Sequence, residues 1–320
     1  MEKIKSFINT FNTKYLSSSR QVQRIVVLAA IALVMALGSF AGYYWYTRYH
    51  SNQPDLVNSK IQQAEQALDA DPTNLDKRLS LAETYMLYGH YKDALTQAEQ
   101  VFAADATRDR SWLVIGVANN LLGKPSESIA PLTNFVDKFK DEKMAALDKA
   151  LQEAVYYLGD SYLQLKDYDN AIKYLEMSVG WSQLDADALY KLGLAYKAAG
   201  RYEEAVNTLH LAVNFVPNFT EAYQAMAEAY DAGGRQGLGD YARGMLAYSK
   251  KDYKTALILL TKASEAYPKY APVFSGLGLT YEAMNDLRSA LVAFQTAVTN
   301  DPNDFTAVRG VERVTALINK

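Results

Sequence analysis

The chain has 320 residues, 49% hydrophobic and 22% charged, enough apolar material for a real core and too much for wholesale disorder. A net charge of −3 argues against the basic excess of a nucleic-acid binder. The absence of cysteine excludes disulfides, thiolate metal sites, haem attached through a cysteine pair and a cysteine-linked lipid anchor.

Residues 1–24 form a basic tail, with Lys3, Lys5, Lys14, Arg20 and Arg24 against Glu2. Ile4, Phe7, Ile8 and Phe11 have helical spacing there, which fits a short helix on the inner membrane surface as well as a disordered tail. Residues 25–46 (IVVLAAIALVMALGSFAGYYWY) hold no charge. As a helix they span roughly 33 Å, enough to cross a bilayer core of ~30 Å. The run closes on Tyr43, Tyr44, Trp45 and Tyr46, side chains suited to the lipid interface. A cleaved signal peptide, cut near Gly38-Ser39-Phe40-Ala41, is the rival reading. Bulky aromatics where small residues belong favour an uncleaved single transmembrane helix. Only Arg48 and Lys60 lie close after the span, so the N-terminus is expected in the cytoplasm and residues 47–320 outside it. The expected location is the plasma (inner) membrane, with the lipid bilayer contacted through Ile25–Tyr46.

After a linker within 47–74, residues 55–72 read as a lone helix that caps the N-terminal side of a repeating pattern. In that pattern Leu189, Leu192-Gly193, Tyr196, Ala205, Leu209, Ala212 and Pro217 recur at equal offsets as Phe274, Leu277-Gly278, Tyr281, Ala290, Phe294, Ala297 and Pro302. The same register places units at 75–108, 109–142, 152–185, 186–219, 237–270 and 271–304. Three departures stand out. Residues 143–151 are expected to extend the next helix backward by two turns. Residues 220–236 make half a unit, an extra helix that leaves 237–250 as partner to both neighbours. Asp240 and Arg243 are expected to break the first helix of 237–270. Residues 305–320 should form a capping helix.

The pattern resembles the tetratricopeptide repeat, a helix–turn–helix of about 34 residues. The resemblance implies an all-α fold: a transmembrane helix followed by an α-solenoid, a right-handed superhelix of helical hairpins. It also implies a concave groove lined by the first helix of each hairpin. On that rule Tyr156, Asp160, Tyr190, Lys197, Gln224, Glu228, Asp231, Tyr241 and Tyr248 are groove candidates for a protein or peptide partner. Tyr85, Tyr162, Tyr196, Tyr230 and Tyr281 fall on core positions instead. The family's carboxylate clamp for chaperone tails is not supported, because its positions hold Leu79, Glu83, Leu113 and Val117.

No catalytic motif is present, and no cofactor, metal or enzymatic activity is expected. His50, His90 and His210 are scattered and read as surface or edge residues. The glycine-rich stretch 233–239 reads as a turn. Similar bacterial anchored repeat proteins serve secretion, envelope-protein quality control, cytochrome maturation, pilus assembly or cell-wall machinery. The expectation is therefore a membrane-tethered scaffold or assembly factor. The alternative is a self-assembling structural component, with a homo-oligomer as its product.

Overall fold

A computed structural model of the protein describes residues 56–182 and 185–319. The basic tail, the apolar span 25–46 and most of the linker lie outside the described residues. Among those described, no helix is long and apolar enough to cross a membrane. The chain divides between Lys60 and Ile61 into two units, and the second holds the repeats.

Fifteen α-helices and no strand are found among the described residues. Helix α1 spans Leu56–Asp69, α2 Leu75–Leu87, α3 Tyr91–Ala104, α4 Asp109–Leu121 and α5 Pro125–Phe139. Then come α6 Lys149–Gln164, α7 Tyr168–Trp181, α8 Ala186–Ala198, α9 Tyr202–Phe215 and α10 Thr220–Ala232. The series closes with α11 Gln236–Ser249, α12 Tyr253–Ala266, α13 Ala271–Ala283, α14 Leu287–Asn300 and α15 Phe305–Ile318. From α2 onward each helix packs on the next, giving a solenoid of hairpins.

A small residue in the first helix of a hairpin admits a large one from the second. A Cβ added at Gly159 would lie 2.7 Å from Leu175 Cγ, at Gly193 2.6 Å from Leu209 Cγ, and at Gly244 2.7 Å from Leu260 Cγ. At Gly278 it would meet the Phe294 ring at 2.5 Å. Those four large side chains are fully buried. Tyr196 and Tyr230 are buried with them, and Tyr85, Tyr162 and Tyr281 pack partly buried against the same cores. Tyr85 donates to Glu65 Oε1 of α1 at 2.6 Å, and Tyr196 donates in the same way to Glu176 of α7. The bond from α2 back to α1 thus repeats, 20 residues apart in each case, the one from α8 back to α7.

Every hairpin turn places one residue at positive φ: Gly89, Gly123, Lys166, Gly200, Gly234, Lys251 and Asn285. Two of these turns, at Gly234 and Lys251, flank α11. Helix α11 therefore enters as the second helix of one hairpin and leaves as the first helix of another. The row of first helices runs α2, α4, α6, α8, α10, and resumes as α11, α13, α15.

Two expectations are corrected. Residues 143–151 do not extend α6 by two turns. Asp148 adopts ψ 113° and its Oδ1 accepts from the amides of Ala150 and Leu151, so the helix starts at Lys149 after a short 3-10 turn at Ala145–Leu147. Asp240 and Arg243 do not break α11. Their charges are matched: Arg243 reaches Asp231 at 2.6 Å and Asp240 at 2.9 Å, and Lys262 reaches Asp240 at 2.8 Å. The glycine-rich stretch is a turn only in part, since Gly237 and Gly239 lie inside α11.

Candidate functional site

The groove candidates fall into three groups. Tyr156 on α6, Tyr190 on α8 and Tyr248 on α11 are half-buried. Tyr156 stands edge-on to Tyr157 at 5.1 Å between centroids, Tyr190 leans on Phe219 at 5.0 Å and Tyr248 on Tyr253 at 5.8 Å. Burial pushes the hydroxyl pKa of each of the three above the ordinary value. They present aromatic edges rather than free rings.

A second group is occupied by its own neighbours. Lys197 of α8 pairs with Glu228 of α10, and Gln224 donates to Glu228 at 3.2 Å. The Lys197 ammonium is the main cause holding the Glu228 carboxyl below its ordinary range. Asp231 is engaged by Arg243. These ion pairs bridge α8 to α10 and α10 to α11, and leave little unsatisfied charge for a partner.

Two candidates are corrected outright. Asp160 is buried in a polar knot and does not open on a groove. Its Oδ2 accepts from Asn120 at 3.1 Å and Gln164 at 2.7 Å, while Lys191 lies 2.6 Å from Oδ1. Asn120 also donates to Ser161 Oγ at 2.8 Å, so the knot ties α4, α6 and α8. Tyr241 is likewise buried, edge-on to Tyr270 at 5.7 Å and stacked under His210 at 6.3 Å. The switch of α11 between two hairpins covers it from both sides. His210, expected at the surface or an edge, is half-buried, with its Nε2 enclosed and without a partner.

The open concavity lies nearer the N-terminus. A cleft of about 410 Å³ crosses α2, α4 and α6, between Met86, Leu113, Val117 and Tyr157. Leu113 and Val117 form its buried floor, while Leu87 and Leu121 at its lip are 76% and 38% exposed. Glu83, Arg110 and Glu153 stand around the mouth. Arg110 grips Glu83 through Nε and Nη2 at 3.0 and 2.8 Å. These residues lie on the same row of first helices that the repeat resemblance assigns to the groove. The signal is present in the sequence: Leu113 and Val117 occupy groove positions, the same ones at which the clamp residues are missing. A depression of about 400 Å³ near Arg201 and Arg235 is a weaker candidate, because those cations already pair with Glu204 and Glu203. Among the described residues no cluster of three or more metal-ligating side chains occurs.

Tetratricopeptide repeat models match residues 162–230 and 271–304, and these stretches are tetratricopeptide repeats. No curated protein matches the chain. Among solved structures, a crystal structure of MamA protein is 22% identical, with 56% of this chain and 93% of that chain covered and a TM-score of 0.49. A second MamA structure, from MSR-1, is 23% identical over 55% of this chain and 94% of that chain, with a TM-score of 0.48. The APC/C hetero-tetramer Cut9-Hcn1 is 15% identical over 84% of this chain and 50% of that chain, with a TM-score of 0.44.

Proposed function

We propose that this protein is a non-enzymatic scaffold, tethered to the plasma (inner) membrane by residues 25–46, that docks a segment of another protein in the cleft across α2, α4 and α6. Tetratricopeptide repeats as a class bind protein partners, and the cleft supplies what docking needs. The observation that carries the reading is an apolar floor with Leu87 and Leu121 exposed at its lip. The tether and the extracytoplasmic placement rest on the uncharged run and the basic residues before it.

A photo-crosslinking residue at Leu121, compared in intact membranes with one at Ile258, tests docking. Ile258 lies on α12, a second helix, and is 69% exposed. The expected result is adducts to a different protein from position 121 and none from 258. Only self-adducts from position 121 would sink the reading. A self-assembling array is the second reading, favoured by Ile258 and Val292 standing exposed at equivalent sites on α12 and α14. Uniform self-adducts from 258 would support it.

A further inference from the structure

The docking cleft carries an unbalanced charge at the mouth of an apolar cavity. Two carboxylates, Glu83 and Glu153, share it with one guanidinium, Arg110. Arg110 is committed to Glu83 by two hydrogen bonds to Oε1. Glu153 makes no ion pair with any described residue. Although its side chain is exposed, the walls around it remove enough water to raise its carboxyl above the ordinary range. Arg110 opposes that rise and Glu83 adds to it.

This imbalance constrains the chemistry of an occupant. A purely apolar segment would cover Glu153 and leave a carboxylate both buried and unpaired. An acidic segment would bring a further like charge against Glu83 and Glu153. A cation beside the apolar anchor removes the conflict through a charge-assisted hydrogen bond. The aromatic face of Tyr157 would also favour that cation.

We infer that the cleft selects a protein segment in which a large apolar side chain, seated over Leu113 and Val117, has a Lys or Arg close by that pairs with Glu153. The inference rests on the docking function proposed for this cleft and specifies its partner.

The test is selection from a random displayed-peptide library on the full chain in detergent, repeated on three variants. One is the exposed double variant Leu87→Glu with Leu121→Glu, which blocks the lip. The others are Glu153→Gln and Glu153→Lys, both at an exposed position. The expected yield is peptides pairing an apolar residue with a nearby Lys or Arg, lost on the lip variant. Their affinity should fall about tenfold on Glu153→Gln, and selection on Glu153→Lys should turn to acidic peptides. Peptides that need the lip yet show no basic preference overturn the inference and leave docking standing. No lip-dependent peptide at all overturns both. Glu153→Gln should melt no lower than the parent at neutral pH, which separates lost recognition from lost folding.

Discussion

His210 shows how placement decides the behaviour of a residue. Burial lowers its pKa below the ordinary 6.5, and the nearby Asp304 only partly opposes this. Folding thus favours the neutral ring. The stability tied to that ring is full above pH 6.5 and is lost as pH falls through the lower folded value. We expect His210→Phe to flatten the fall of melting temperature below pH 6.5, read by circular dichroism. The unpartnered Nε2 makes an apolar ring acceptable there. Asp160 acts through its partners instead, three of which it engages at once. Asp160→Leu removes at once a partner of Asn120, Gln164 and Lys191, and should cost about 1–3 kcal/mol in urea denaturation. The double change with Asn120→Leu should cost less than the sum of the two single losses, because one bond, Asn120 to Asp160, is removed by both.

Helices and turns obey a tighter rule. At each hairpin turn one residue adopts positive φ, and Gly89, Gly123, Gly200 and Gly234 do so without a Cβ penalty. Lys251, at φ 64°, carries that penalty. Lys251→Gly should stabilise the protein by ~0.5–1 kcal/mol, measured by thermal or urea unfolding. A change in the other direction should do harm inside the hairpin. Gly193→Ala sets a Cβ 2.6 Å from Leu209 Cγ, a side chain fully buried between α8 and α9. The overpacking should destabilise by about 1–3 kcal/mol. Both changes leave the docking cleft untouched, so binding should survive wherever folding does.

At the scale of the molecule, the decisive feature is how a stack of sticky hairpins ends. Helix α15 lays Gly310 against the Phe294 ring and is tied back by Arg313 to Glu282, with two bonds of 2.6 Å. Its exposed residues include Arg309, Glu312 and Arg313. Removing residues 305–320 should expose Phe294 and Ala297, lower the melting temperature and produce aggregates in light scattering. The tether belongs to this scale too. If residues 25–46 span a bilayer, the chain should stay in the membrane pellet after alkaline carbonate extraction, and a chain starting at residue 47 should not. Release of the full chain would remove the tether from the proposal.

Much of the architecture was legible in the residues alone. Small and large side chains at fixed offsets in 152–304 demand close hairpin packing, and the extra helix at 220–236 was visible as a break in phase. Caps written in one residue were harder to see: Asp148 starts α6 where a helical pattern suggested an earlier start. The groove candidates depended on a rule about helix faces, and that rule does not know which faces neighbouring helices have already taken. Only three-dimensional packing paired Lys197 with Glu228 and Asp231 with Arg243, buried Asp160 and Tyr241, and left the apolar floor between Met86 and Tyr157 open. Local spacing determines that hairpins form and stack, because it sets which atoms touch within about 34 residues. Which part of the stacked surface remains unsatisfied depends on partners three hairpins long, and that is decided only when the helices are set side by side.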